Sequence, residues 1–384
     1  MSKPRVLIFV DYYLPGYKAG GPIASVSRMV KNLSSEFDLY IFTRDRDLGD
    51  EVPFEGIFSD AWTQLDGVPV FYAKDVSAAQ IAEQIKKVEP DLVYLNSYFS
   101  VLSRRVLMLS KRGKVGNAKV AIAPRGEFSK GALALKSFKK SAYIKFATWS
   151  RLTHKVVWHV SSIHEREDVL RTAGPNCRTI VEAPDMLAAG DEVALLPRLE
   201  KKEGEAKFAW ISRISPKKNL IGAIRMLESV RGNVVFTIYG PTEDAGYWEE
   251  CQTAIALLPN NVHVDYRGGL TPPEVLPSLS QHHFFLFPTF GENFGHVIPE
   301  ALGAGCPVLL SDQTPWLDLD EHDAGWVLPL DDEAGWTQTL QACMEMGDAD
   351  YQWRRDSARH YIAAFAKRQH PHGNSHLFEV ALAG

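Results

Sequence analysis

The chain has 384 residues, 45% of them hydrophobic and 23% charged, with a formal net charge of −5. That length and balance suit roughly two globular domains, each able to bury a core. The net charge argues against an overall basic nucleic-acid binder, although a local basic patch stays open.

The N-terminus reads "MSKPRVLIFVDYYLPG". Its apolar run, Val6 to Val10, is too short for the core of a secretory leader, and no small-residue cleavage site follows. No window of about 20 apolar residues occurs, so no membrane-spanning helix is expected. The expected location is the cytoplasm, with a peripheral contact at the inner membrane face left open. "RVLIFV", "DLYIFT", "DLVYLN", "KVAIAP" and "KVVWHV" read as strands buried on both faces. "GGPIASVSRMVKNLSS", "SAAQIAEQIKKVEP" and "LSRRVLMLSKRG" between them read as helices. This is the rhythm of a parallel sheet covered by helices. The first strand ends at Asp11, and "YYLPGYKAGGP" then leads into a helix. Gly20 and Gly21 there let backbone N–H groups approach a phosphate, or simply make a turn. Arg125 stands at the end of "KVAIAP", on the side where such sheets bind ligands.

From Lys136 to Lys155 there are six Lys or Arg and no acid, interleaved with Phe138, Tyr143, Ile144, Phe146 and Trp149. Such a segment suits an anionic membrane surface. It equally suits a half-buried helix whose lysines extend to water. "LLPRLEKKEGEAK", 195–207, is polar and reads as a linker. The rhythm then restarts with "FAWISR", "NLIGAIRMLESV", "NVVFTIYG", "DAGYWEECQTAIALL", "VHVDYRG", "PPEVLPSLSQ", "FFLFPT", "IPEALGAG" and "PVLLSD". Two doubly wound units imply a cleft, with ligands beyond the carboxyl ends of the strands.

"WISRISPKKNL" puts Arg213 just after a strand and Lys218 at a helix entry. Two cations there suit a diphosphate, or make a solvated loop. In "FLFPTFGENFGHVIPEALGAG", Pro299 must lie in a helix's first turn, so the helix begins near His296 to Ile298. Glu292 then lies in the loop before it and Glu300 in its first turns, beside the N–H groups of Asn293, Phe294 and Gly295. As isolated residues, a helix-dipole partner and a loop charge would account for both glutamates. His282 and His283 diverge and lack a metal-completing partner, so a structural role is expected. Cys177, Cys251, Cys306 and Cys343 form no C-x-x-C pair and read as free thiols.

Taken together, these stretches resemble the GT-B retaining glycosyltransferases of family 4. The E-x7-E element in "FPTFGENFGHVIPEALGAGCPVLLSD" carries most of the likeness. "GGP", "SRISPKKNL" and "YRGGLTPPEVLPSLSQHHFFLFPT" support it. "APRGEFSKGALALKSFKK" further resembles members from polysaccharide gene clusters. The resemblance implies an α/β chain of two Rossmann-like doubly wound domains facing a central cleft. Their expected extents are 1–195 on the acceptor side and 196–366 on the donor side, with a tail, 367–384, free to pack back on the first. It implies transfer of a sugar from a nucleoside-diphosphate donor to a glycan or polyprenyl-linked acceptor, with no metal or other cofactor and no nucleic-acid partner. Glu292 would lie by the donor sugar, Glu300 on the ribose, and Arg213 with Lys218 on the diphosphate. Gly20 and Gly21 would close over it. Gly240, Arg267, Gly268, Asn293, Phe294 and Gly295 complete the donor positions. Arg125 stands where many relatives carry a histidine near the donor sugar. A sugar-nucleotide 2-epimerase and a non-catalytic sugar-nucleotide-binding protein share the two-domain frame. The E-x7-E context argues against the first, and turnover of a donor against acceptors separates the second.

Overall fold

The computed structural model describes residues 3–134, 137–174, 177–187, 196–368 and 372–383. The chain divides into two compact units, Met1–Met186 with Gln369–Gly384, and Leu187–Arg368. The strands of the first are β1 (Arg5–Phe9), β2 (Asp38–Arg44), β3 (Ala61–Leu65), β4 (Val68–Ala73), β5 (Leu92–Asn96), β6 (Lys119–Ala123), β7 (Val156–Val160) and β8 (Thr179–Glu182). The second holds β9 (Glu205–Ile211), β10 (Asn233–Tyr239), β11 (Val262–Tyr266), β12 (Phe284–Phe287), β13 (Val308–Ser311) and β14 (Gly325–Leu328). The helices of the first unit begin with α1 (Gly21–Leu33), α2 (Ala78–Val88), α3 (Val101–Lys111), α4 (Lys130–Ala134), α5 (Ser137–Trp149) and α6 (Ile163–Ala173). Those of the second are α7 (Leu220–Met226), α8 (Ala245–Ala256), α9 (Pro272–Leu279), α10 (Val297–Gly303), α11 (Glu333–Glu345) and α12 (Asp348–Arg368), after which α13 (His372–Ala383) returns to the first.

In the first unit the described strands lie in the order β3-β4-β2-β1-β5-β6-β7-β8. All neighbours are parallel except β3 and β4. Alternation along β1 sends Leu7 and Phe9 into the core on one face and Val6 and Ile8 into the core on the other. A central strand covered on both faces needs apolar residues at every position, which is why β1 shows no polar alternation. The sequence reading did not include β3, β4 or β8. Asp66 and Gly67, both at positive φ, turn β3 into β4 with Leu65 opposite Val68, the two-residue hairpin that an Asp-Gly pair favours.

The second unit is all parallel, in the order β11-β10-β9-β12-β13-β14. Strand order reverses at β9, whose neighbours are β10 on one side and β12 on the other. The connections after β9 and β12 therefore leave toward opposite faces and open a crevice at the carboxyl ends, where open α/β sheets bind ligands. The first unit reverses in the same way at β1, between β2 and β5. All four cysteines are free. No helix among the described residues is long and apolar enough to cross a membrane.

From α13, Leu377, Phe378 and Ala381 enter the same core as Val6 and Ile8. The Phe378 ring lies 5.3 Å from Phe37 and 5.6 Å from Tyr94, centre to centre. Phe378→Ala should cost the first unit about 3–5 kcal/mol, the scale for emptying a buried phenylalanine site. Hydrogen exchange checks this: amides of β1 should lose protection while those of β9 keep theirs.

Candidate functional site

The connection after β9 runs through Arg213 and a single 3-10 turn, Pro216–Lys218, to Asn219. Asn219 sits in the left-handed region at φ 54, and its side chain caps α7 by accepting from the Gly222 N–H at 3.2 Å. Its amide also donates to the Pro288 carbonyl at 2.8 Å, in the connection after β12. Two more bonds join the same loops. The Phe290 N–H donates to the Lys217 carbonyl at 3.0 Å, and the Thr289 hydroxyl to that carbonyl at 3.2 Å. Ser311, ending β13, donates to the Thr289 carbonyl at 2.5 Å. The loops after β9, β12 and β13 are thus one hydrogen-bonded assembly.

That assembly brings Lys218 Nζ onto the Glu292 carboxylate. The side chains are 13% and 11% exposed, so water screens the pair little. The ammonium also lies 5.8 Å from the centre of the Phe287 ring. The Glu292 backbone N–H donates to the Gln313 carbonyl at 2.9 Å, which fixes where its side chain starts. α10 begins at Val297 with Pro299 in its first turn, so Glu300 is a partly exposed first-turn residue. Phe294 is buried beside Trp316, whose indole N–H donates to the Phe294 carbonyl at 2.6 Å. Gly295 has φ 74, which favours glycine, and a Cβ there would have to push aside Ile298 Cδ1, 2.7 Å away. Asn293, between these anchors, is partly exposed.

Arg213 does not join Lys218 on a shared carboxylate. Its Nη1 pairs with Glu243 Oε1 at 2.8 Å, in the connection after β10. Gly240 follows that strand at φ 141. A Cβ would fall 1.7 Å from the Ser212 carbonyl oxygen, so the close approach of these two backbones admits only glycine. Its N–H donates to the Gly268 carbonyl at 2.7 Å. Arg267 turns to Asp265, with Nε 2.7 Å from Oδ2, and stays exposed. His282 and His283 point apart. His283 accepts from the Lys207 N–H at 3.0 Å, so its other nitrogen carries the proton shared with the Glu200 carbonyl at 2.9 Å. His282 Nδ1 lies 2.8 Å from the Ser278 carbonyl and is the donor. Both are structural.

In the first unit, Gly20 (φ 68) precedes α1, which opens with Gly21 and Pro22. Among the described residues no atom beyond its chain neighbours lies within 4 Å of a Cβ built on Gly20, so conformation rather than space asks for glycine there. Asp47 holds the loop before it. Its carboxylate accepts from the N–H groups of Tyr17 at 2.7 Å and Lys18 at 3.0 Å.

Arg125 departs from the sequence reading. It was expected at a ligand-facing strand end, yet its side chain is 7% exposed and built into the unit. Nε donates to Asn96 Oδ1 at 2.7 Å, Nη1 to the Asp185 carboxylate, and Nη2 to the Tyr94 hydroxyl at 3.0 Å. Ser25 on α1 donates to the other Asp185 oxygen at 2.9 Å. Tyr94 in turn meets His159 Nδ1 at 2.7 Å, and His159 Nε2 meets the Ala183 carbonyl at 2.7 Å. A carbonyl only accepts, so Nε2 carries the proton and Nδ1 accepts from the tyrosine. Asp185, Asn96, Tyr94, His159 and, in the second unit, Glu243 were not singled out from the sequence. Each lies in a strand or in the segment just after one, but no spacing rule links partners on different strands.

On α5 the helical spacing sorts the basic segment into two faces. Phe138, Lys145 and Trp149 share the outer face, with Lys139 and Phe146 at its border. Phe138 is 86% and Trp149 82% exposed. Tyr143 and Ile144 pack on the core instead. Lys140 turns inward as well, its Nζ 2.5 Å from the Ala132 carbonyl and over the Phe99 ring. Lys136, where the segment was taken to begin, lies outside the described residues.

Residues 194–359 match the model of the family described as Glycosyl transferases group 1. No curated protein matches in sequence. Among solved structures, the chain resembles Alr3699/HepE from Anabaena, solved with UDP and glucose, at TM-score 0.70 and 15% identity over 99% of this chain and 100% of that one. It resembles an alpha,alpha-trehalose-phosphate synthase (UDP-forming) from Burkholderia vietnamiensis at 0.71 and 11%, covering 100% and 97%. It also resembles WaaG, a glycosyltransferase involved in lipopolysaccharide biosynthesis, at 0.64 and 14%, covering 93% and 95%. At these identities the likeness speaks for the fold, which is GT-B.

Burial pushes His159, His282 and His283 down from 6.5 to about 4, with the Arg125 charge the second cause at His159. Between those values the unfolded chain binds protons that the folded chain refuses, so stability should fall as pH drops from about 6.5 toward 4. Each histidine contributes a slope of up to about 1.4 kcal/mol per pH unit. Thermal midpoints across that range check this, and a flat profile would contradict it.

Proposed function

We propose that this chain, a glycosyltransferase whose residues 194–359 match the group 1 glycosyl transferases, moves a sugar with retention from a nucleoside-diphosphate donor to a glycan or lipid-linked acceptor in cell-surface polysaccharide synthesis. The observation that carries the reading is the sheltered Lys218–Glu292 pair at the strand-order reversal of the second unit. The ligands in the Anabaena structure support a UDP-sugar donor, and the stated role of WaaG supports a polysaccharide acceptor.

In the proposed reaction the bond from the sugar's anomeric carbon to the diphosphate oxygen breaks, and its electron pair leaves with the diphosphate. The acceptor hydroxyl forms the new bond on the same face, and its proton passes to the departing oxygen. Negative charge grows on the diphosphate, where Lys218 and Arg213 supply fixed cations and do the work a metal would otherwise do. Both cations are already paired, with Glu292 and Glu243, so a diphosphate has to share or displace a carboxylate. Glu292 stabilises the positive character that develops on the ring. Glu300, one turn into α10, takes the ribose hydroxyls.

The two glutamates should therefore fail differently. Glu300→Ala should weaken nucleoside-diphosphate and donor binding by about 1.5–3 kcal/mol, the scale of a hydrogen bond to a charged group. Glu292→Ala should lower turnover roughly 10²–10³-fold without weakening bare nucleotide binding, since it removes the carboxylate that competes for Lys218. Calorimetry in EDTA with steady-state kinetics checks both. Near-normal turnover in Glu292→Ala, equal effects on bare nucleotide, or loss of donor binding in EDTA contradicts the scheme. A sugar changed without any acceptor would point to epimerisation.

A lipid-linked acceptor would bring the protein to a membrane, and the outer face of α5 fits that role. Exposed aromatics seat at the headgroup level while Lys139 and Lys145 meet anionic lipid. Lys139→Glu with Lys145→Glu should reduce binding to phosphatidylglycerol vesicles, and Trp149→Ser should reduce it further. Sedimentation with vesicles measures this, and unchanged binding would make the face ordinary surface.

A further inference from the structure

Arg355 and Arg359 lie one turn apart on α12 and pack beneath Gly305, just past the end of α10. A Cβ on Gly305 would lie 2.8 Å from Arg355 Cγ and 2.7 Å from Arg359 Nε. Arg355 is only 2% exposed. Its Nη2 donates to the Pro197 carbonyl at 2.6 Å, but its Nε and Nη1 have no hydrogen-bond partner among the described residues. Arg359 Nη2 reaches the Ala304 carbonyl at 3.3 Å, and its buried Nε is likewise unpartnered among them. Burial and then the charge of Arg355 push Arg359 below its usual range.

Arginine does not shed its proton, so the buried guanidinium of Arg355 and the half-buried one of Arg359 both stay charged. An uncompensated buried charge is strongly unfavourable. The carbonyls at the end of α10 offset part of that cost. Among the described residues neither arginine has a carboxylate ion-pair partner within 4.0 Å; the Asp356 carboxylate acts on Arg359 from farther off, and Asp348 is taken by Arg198 at 2.5 Å. Beside them is a cavity of about 340 Å³ lined by Leu196, Arg198, Gln352, Arg355, Asp356 and Arg359. That volume is at the small end of ligand pockets and exceeds what a bare oxyanion fills.

We propose that this cavity binds a phosphoryl group, as free phosphate or as the phosphate of a small monoester. Arg355 and Arg359 offer it their unpartnered N–H groups, and Arg198 turns to it from Asp348. Paired N–H donors of a guanidinium match two oxygens of a tetrahedral anion. Gln352, whose amide donates to the Leu199 carbonyl and to Asp348, and Asp356 line the rest of the cavity. The site is separate from the one assigned to the donor: Glu300 stands in the first turn of α10, and these arginines stand at its far end. The proposal holds whether or not the donor assignment does.

The test is calorimetry on the full chain with inorganic phosphate, glucose 6-phosphate and glucose, against chloride at matched ionic strength. Both phosphorylated probes should bind in wild type and in Lys218→Ala, and glucose alone should not. Tighter binding of glucose 6-phosphate assigns the site to a monoester, and equal binding assigns it to free phosphate. Arg359→Gln and Arg198→Gln should each weaken binding about tenfold or more. Arg355→Gln should weaken it further, and if that protein does not fold the other two decide. Failure of both phosphorylated probes to bind overturns the proposal. So does unchanged affinity in Arg359→Gln and Arg198→Gln, or loss of binding in Lys218→Ala.

Discussion

Asn219 is the residue on which the candidate site most depends. One short side chain accepts from α7 and donates to the Pro288 carbonyl, so it ties the loop after β9 to the loop after β12. The two loops leave a reversing sheet toward opposite faces, and nothing in the sheet's own ladder holds them together there. The tie makes the reversal a fixed feature rather than a gap. It also obliges Asn219 to adopt the left-handed conformation, which asparagine tolerates better than most side chains. With the loops joined, Lys218 and Glu292 meet without either loop having to close. Catalytic electrostatics of this kind act only if the charges are held before the reaction begins.

The first unit is organised around a charge of a different sort. Arg125 draws together the end of β5 through Asn96, the interior of that strand through Tyr94, the segment after β8 through Asp185 and, through Asp185, Ser25 of α1. The ion pair is buried, which favours uniqueness of arrangement more than stability as such. Through Asp185 it holds α1, the helix that the glycines at 20 and 21 lead into.

Much of this was legible in the sequence, for identifiable reasons. The alternation of short apolar runs with helical stretches marks parallel strands because both faces of such a sheet are covered. Pro299 located the start of α10 because proline fits only the first turn. The two glutamates stood out because, eight positions apart with Gly295 and Pro299 between them, they do not share one continuous helix face. What was not legible depends on pairing across strands. Glu243 partners Arg213 from thirty residues away, and Asp185 partners Arg125 from sixty. Neither distance follows from a local period. The β3–β4 hairpin left a signal in Asp66–Gly67, but β3 is only partly buried and shows no clean alternation. Lys140 carries the same charge as Lys139, and only its place on the turn of α5 sends it inward.

The return of α13 to the first unit means that the chain crosses between units twice, near residues 187 and 368. In folding terms the second unit is an insertion: its residues are contiguous, whereas the first unit's are split around it. During synthesis all of the second unit emerges before Leu377, Phe378 and Ala381 do. The domain that begins first on the ribosome is therefore the one that finishes last. Until then, the face of its sheet bearing Val6 and Ile8 lacks part of its cover. Such a face is a natural client for chaperones, and its exposure lasts at least as long as it takes to translate the inserted unit.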